Sequence, residues 1–345
     1  MNKLNIEIRI EPKYHNVSYF NNGLAAVSND NYLYGYIDKT GKEIIPCKYK
    51  LAKHFYEDMA PVKNNSYLWG FINKQGEEVI PFKYKNTWDF QEGLAAVEND
   101  SNLWGFINKK GEEVIPFKYQ WTTNFHCGLA LVRENNSKYF INTKGEKVFD
   151  FNDPLQTNFR NGLARIKKKS LFGFMDETGK EVIPCKYLDA NVFTEEYNSV
   201  RTNEKSWIII DKEGKEIKLP KKYEYIGPFF EGIAAVQNKN NLYGFINTKG
   251  EEIIPCKYLS VNIFSDGLAY VCETNGKCSF LDTKGEVKLE LNKYFIDIDL
   301  NGKHKKIEVK KARNLDKVIS RVINEYTNNG LIKKVKTRKL ENNQK

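Results

Sequence analysis

The sequence predicts an all-β array of tandem repeats, and three observations predict it. A phenylalanine recurs at Phe20, Phe55, Phe90, Phe125, Phe159, Phe193, Phe229 and Phe264, each three residues before the glycine slot of a "GLA"-type run. A turn glycine recurs at Gly41, Gly76, Gly111, Gly145, Gly179, Gly214, Gly250 and Gly285. Between these markers lie strand-length apolar runs joined by short Gly/Asn turns, and no amphipathic helix of about ten or more residues is read before residue 312. Two independent series with a step of about 35 residues give eight units.

Each unit reads as an antiparallel meander of three segments. The first, "GLAAVEND" from Gly93, is a short apolar run ending in polar turn residues. The second, "LWGFIN" from Leu103, is aromatic and β-branched, which suits a half-buried strand. The Gly-containing turn "NKKGEE" then leads to the third, "EVIPFKY". Proline recurs in the third segment at Pro46, Pro81, Pro116, Pro184, Pro220 and Pro255. Because proline donates nothing to a ladder, this segment is expected at a sheet edge or a bulge. Glycine follows the aromatic residue of the second segment at Gly35, Gly70, Gly105, Gly173 and Gly244, which implies a close approach there. Phe140, Ile208 and Ser279 depart from that pattern.

Units such as "WGFINKKGEEVIPFKY", in which Trp-Gly, Phe-Ile-Asn, Lys-Gly-Glu and Ile-Pro recur in register, resemble the WG (Trp-Gly) repeat family of bacterial proteins over roughly residues 8–292. The resemblance implies tandem β repeats and an interaction scaffold, and brings no catalytic residues with it. One such unit cannot bury both faces, so neighbours must complete its core. Eight units favour a propeller-like toroid, with an open β-solenoid as the alternative. In a ring the N-terminal "IRIEPKY", from Ile8 to Tyr14, is placed to complete the last unit, whose third segment lacks the Pro-x-Lys-Tyr pattern.

The chain divides into a repeat array over residues 1–292 and a basic segment over 293–345. Residues 301–345 hold 14 Lys and Arg against 4 Asp and Glu, and so carry the whole net charge of +10. In this segment "YFIDIDLNGKHKKIEV" alternates around Asn301-Gly302, a hairpin signal. Leu315, Val318, Ile319, Val322, Ile323 and Tyr326 then follow helical spacing, with Asn314 as cap and Gly330 as stop. The basic end, with Lys333, Lys334, Lys336, Arg338 and Lys339, is expected as a solvated tail with a capacity for anionic partners, nucleic acid or membrane, through charge alone.

Apolar residues at 41% are ample for a core and too rich for disorder. No signal-peptide pattern and no apolar run of membrane-spanning length is read, so a cytoplasmic protein is expected. The six cysteines are expected to be neither metal ligands nor disulfide-bonded. Cys47, Cys185 and Cys256 share a slot with Phe82 and Phe117 and read as buried small hydrophobes, and Cys272 and Cys278 lack CxxC spacing. His15, His54 and His126 fall at different phases of the repeat, and no HExxH, GxSxG or phosphate loop is present.

The expected function is therefore a non-catalytic protein–protein interaction scaffold without cofactors. The alternatives are a glycan or small-ligand binding module and association of the basic tail with nucleic acid or an anionic membrane. Trp69, Trp104, Trp207 and Tyr243 are expected to pack between repeats. Trp88 and Trp121, outside the Trp-Gly slot, are the candidates for exposed partner contacts.

Overall fold

The computed structural model describes residues 4–151, 157–217, 219, 223–300, 303–309 and 335–339, and among them every regular element is a β-strand. The repeats form six four-stranded antiparallel sheets and one seven-stranded sheet. In the seven-stranded sheet the long strand Glu252–Val261 ends one meander and begins the next. A representative sheet runs Asn86–Thr87, Leu94–Glu98, Trp104–Asn108, Glu113–Tyr119, with sequential strands adjacent. The sequence reading misses the first strand, because two residues carry no periodicity. The other three are the segments expected. Glu92 and Gly93, both at positive φ (55° and 78°), make the tight reversal into the second strand.

The glycine of the Trp-Gly pair and the proline of the last strand turn out to be one device. Trp104 pairs with Tyr119 and Phe106 with Ile115, so Pro116, Phe117 and Lys118 arch over the single residue Gly105. A methyl group on Gly105 would stand 2.8 Å from the Ile115 carbonyl oxygen and 3.0 Å from the Phe117 nitrogen. Only glycine admits the bulge. The same two-to-four register break occurs around Gly35, Gly70, Gly173 and Gly244. Where Phe140 or Ser279 replaces the glycine, the strands pair one to one, Phe140 with Phe149 and Ser279 with Glu290, and no proline stands in the arch. Pro220 lies outside the described residues.

Successive sheets pack face to face. An aromatic ring of the third strand meets the marker phenylalanine of the following repeat: Tyr36–Phe55, Phe71–Phe90, Phe106–Phe125, Phe140–Phe159, Phe174–Phe193 and Phe245–Phe264, with centroids 4.7–5.1 Å apart. Ile209 takes the ring's place beside Phe229. The series does not stop at the last sheet, because Phe280 meets Phe20 of the first at 4.6 Å. Phe20, Ala25, Val27 and Ile37 share one buried cluster with Leu268, Phe280 and Leu291. Polar ties repeat the pattern. The Gly93 N–H donates to the Glu57 carboxylate at 3.1 Å, Gly128 to Glu92 at 2.9 Å and Gly267 to Glu231 at 3.0 Å. Gly23 of the first sheet donates to Asp266 of the last at 2.6 Å.

The termini form a further sheet. Leu4–Pro12 pairs antiparallel with Asn292–Leu300 and parallel with Val335–Lys339, and Lys303–Val309 pairs with the other side of Asn292–Leu300. The expected hairpin at Asn301-Gly302 is thus flanked by its two strands. The expected helix over 315–326 lies outside the described residues. The N-terminal segment does not add a strand to the last repeat as expected, since Val287–Glu290 already fills that edge. Its Tyr14 nonetheless enters the core between last and first sheets, the place that Tyr119 or Tyr258 takes between other pairs. Within the basic end, Val335–Lys339 is a strand, placed by its ladder with the N-terminal strand.

The Gly105 arch gives a direct test. Gly105→Ala is expected to lower the unfolding free energy by about 2–3 kcal/mol, since backbone atoms must move. Gly93→Ala, strained in φ but with nothing within 4 Å of its new methyl, should cost about 1 kcal/mol. Denaturant midpoints of the two variants check the order.

Candidate functional site

Two regions stand out from the repeated packing. The first is a strip of aromatic rings and ammonium groups that runs from the buried Trp69 and Trp104 to the exposed Tyr67 and Trp88. Lys63 Nζ lies 5.8 Å from the Tyr67 ring and 5.5 Å from Trp69, while Lys53 Nζ lies 5.3 Å from Trp69 and 4.7 Å from Trp88. Trp88 stacks toward Trp104 at 6.5 Å, and its indole N–H donates to the Thr122 carbonyl at 3.1 Å. Trp88 is 39% exposed and Tyr67 63% exposed. Tyr67 and Tyr32 sit at φ 61° and 57° in the turn between second and third strands, where Asn102 and Asn241 occur in other repeats. Asparagine enters that left-handed region readily and a bulky ring does so at a cost. Both tyrosines are largely exposed, so core packing does not account for them.

Of the residues singled out from sequence, Trp88 belongs to this strip. Trp121 is half-buried and packs against the neighbouring core. Trp69, Trp104 and Trp207 are buried and Tyr243 is half-buried, as inter-repeat packing requires. Lys336, Arg338 and Lys339 lie on the terminal strand, opposite Asn5, Glu7 and Ile8. Lys333 and Lys334 fall outside the described residues. Tyr67, Lys53 and Lys63 were missed, although a tyrosine in an asparagine turn slot is a readable signal.

The second region lies mainly between the first and second strands, around the residues before and after each marker phenylalanine. Tyr19 stacks on His54 at 3.9 Å and its hydroxyl is 3.3 Å from that of Tyr56. Asp89 interacts electrostatically with Lys53 of the preceding repeat, with Arg160 two repeats on and with Tyr19 of the first. Arg160 acts in the same way on His126. Side chains from five consecutive repeats therefore converge. His54 and His126 looked out of phase because they precede and follow their phenylalanines.

Three atoms here, His54 Nδ1, Asp89 Oδ1 and Asn124 Oδ1, are buried with no hydrogen-bond partner. Burial pushes the Asp89 carboxyl up from 3.8 to about 6, with Lys53 and Arg160 pulling the other way. Burial lowers His54 and His126 to about 4, helped by Lys53 and Arg160 respectively. Lys53 is itself lowered by burial, against the pull of Asp89, and its ammonium donates to the Thr87 carbonyl at 2.5 Å. Among the described residues no cluster of three or more His, Cys, Asp or Glu side chains is arranged to hold a metal ion.

One cysteine expectation is overturned outright: Cys272 and Cys278 form a disulfide. They face each other across a hairpin closed at Asn275-Gly276, so a separation of six residues becomes a cross-strand pair. Cys47, Cys185 and Cys256 are half-buried rather than buried, as are Phe82 and Phe117 in the same slot. The arch lifts this position off the sheet.

With the geometry in view, comparison places the chain in a family. The family model described as "WG containing repeat" matches residues 2–32, 34–67, 69–102, 104–139, 172–205, 209–243 and 243–278, and the chain belongs to that family. No curated protein matches it. Among solved structures, BamB from Moraxella catarrhalis is similar at 11% identity and a TM-score of 0.43, covering 67% of this chain and 84% of that one. Hsv2 from Kluyvelomyces marxianus is similar at 6% identity and a TM-score of 0.42, covering 86% and 98%. No described helix is long and apolar enough to cross a membrane.

Two measurements check this region. A carboxyl raised on folding favours the folded state below its unfolded value of 3.8 and loses that contribution as the pH climbs through about 6. Asp89→Asn should therefore stabilise the protein at pH 8, by up to about 3 kcal/mol, with the gain vanishing toward pH 4 in thermal melts. The lowered histidines act oppositely, weakening the fold as the pH falls from 6.5 toward 4, so both proteins should still melt earlier in acid. For the disulfide, alkylation of denatured protein should label four cysteines without reductant and all six after reduction, by mass spectrometry.

Proposed function

We propose that this chain is a non-catalytic interaction scaffold whose eight repeats close into a propeller-like toroid and present the aromatic strip to a protein partner. The observation that carries the reading is the pair of exposed tyrosines, Tyr32 and Tyr67, held at positive φ, with Tyr67 joined through lysines to Trp88. Exposed Tyr and Trp beside fixed cations match the composition of interface hot spots. A strained turn that holds a largely exposed ring is a cost that core packing does not offset, and binding supplies a reason for it. Ring closure is supported by the Phe280–Phe20 contact and the shared core around it. The Asn262 side-chain amide also donates to the Val17 carbonyl at 3.2 Å. A closed array holds the strip rigid, which limits the ordering cost of association.

The test is affinity capture from the native host with the full chain and with a Tyr67→Ala, Trp88→Ala double variant that keeps the wild-type melting curve. The variant should lose a defined partner by about tenfold or more, as loss of two hot-spot rings predicts. Equal recovery by both proteins would contradict the reading. Tail-driven binding to nucleic acid or an anionic membrane would instead fall steeply with salt and survive the double variant. Quenching of Trp88 by an oligosaccharide panel would favour a glycan module.

A further inference from the structure

We propose that the polar cluster between the first and second strands is a second, separate site, which binds a neutral polyhydroxylated small molecule, a sugar or cyclic polyol, through His54, Asp89 and Asn124. These three residues occupy one structural position, immediately before the marker phenylalanine, in consecutive repeats. Each presents a buried atom with no hydrogen-bond partner in the protein. A buried polar atom left unmatched costs about 1–3 kcal/mol, and native folds carry few of them. The fold does not demand polarity at this position, because Val192, Pro228 and Ile263 occupy it in later repeats. Three unmatched groups at one position of successive repeats are thus a local departure from what the repeat requires, and a ligand that satisfies them explains it.

The chemistry of the three atoms selects the ligand class. Asp89 Oδ1 and Asn124 Oδ1 accept, and His54 Nδ1 accepts or donates according to tautomer, so the ligand must bring several O–H donors. Charge argues against an ion of either sign. Lys53 and Arg160 lie within electrostatic reach of Asp89 and disfavour a cation. Asp89 disfavours an anion, and the Lys53 ammonium is already held by the Thr87 carbonyl and the Trp88 ring. The stacked Tyr19 and His54 rings, with Tyr56 beside them, add the aromatic lining on which the C–H faces of a sugar pack. This site shares no ligand atom with the strip proposed for a protein partner, so either assignment can fail alone.

Isothermal titration calorimetry of the purified full chain against D-glucose, N-acetylglucosamine and myo-inositol tests the proposal. Saturable binding of at least one is expected, weakened about tenfold or more in Asp89→Ala and again in Asn124→Ala. Asn124→Ala keeps the test decisive if Asp89→Ala fails to fold. Tyr67→Ala, which alters the strip at Lys63 and away from Lys53 and Asp89, should leave the affinity unchanged. Absence of binding across the panel, or binding that both inner variants retain, would overturn the proposal. So would binding lost only in Tyr67→Ala, or a response confined to magnesium or phosphate.

Discussion

The structure depends on one contact made again and again, the ring of a third strand against the phenylalanine that opens the next repeat. A four-stranded sheet of this size has two apolar faces and no means of covering either alone. Each ring pair covers one face of two sheets at once, and an edge-to-face pair adds about 0.5–1.5 kcal/mol beyond the area it buries. Because a pair always joins neighbours, stability accrues along the chain repeat by repeat. The Phe280–Phe20 pair is the same kind of contact between the first and last sheets. The carboxylate-to-glycine ties follow the same rule, running from one tight turn to the next in several repeats and from Asp266 back to Gly23.

The parts of this fold that were legible in the sequence are those that repeat. Phe20 to Phe264 and Gly41 to Gly285 give the unit and its length, and the six prolines give an edge or a bulge. What could not be read was the link between Gly105 and Pro116, eleven positions apart and in different strands. Each looks like a separate propensity signal, yet the arch of Pro116, Phe117 and Lys118 exists only because Gly105 lacks a Cβ. Repeats that lose the glycine lose the arch as well, so the departures at Phe140 and Ser279 are consistent with the fold and are not defects. The two-residue first strands, the disulfide and the terminal sheet were hidden for a common reason. Each is made by pairing rather than by local pattern.

The candidate sites reverse this lesson, since both lie where the repeats differ. Trp88 was picked out by leaving the Trp-Gly slot, and it is exposed. Its neighbour Lys53 comes from the repeat before and became visible only when sheets were set side by side. The inner cluster was harder still. His54, Asp89 and Asn124 share a position that reads as an unremarkable variable column, and their burial follows from the approach of sheets one to five. Removal of the Asp89 charge is predicted to stabilise the protein, the trade expected of a group kept for binding and not for folding.

The central claim is that the first and last sheets pack as any two neighbours do, and a double-mutant cycle on Phe20 and Phe280 measures it. Unfolding free energies of Phe20→Ala, Phe280→Ala and the double variant give the coupling between the rings, to be set beside the same cycle on Phe125 and Phe106. The account predicts equal couplings within error, about 0.5–1.5 kcal/mol each. A coupling near zero for Phe20 and Phe280, with a normal one for Phe106 and Phe125, would show that the ends do not meet in solution and would contradict it.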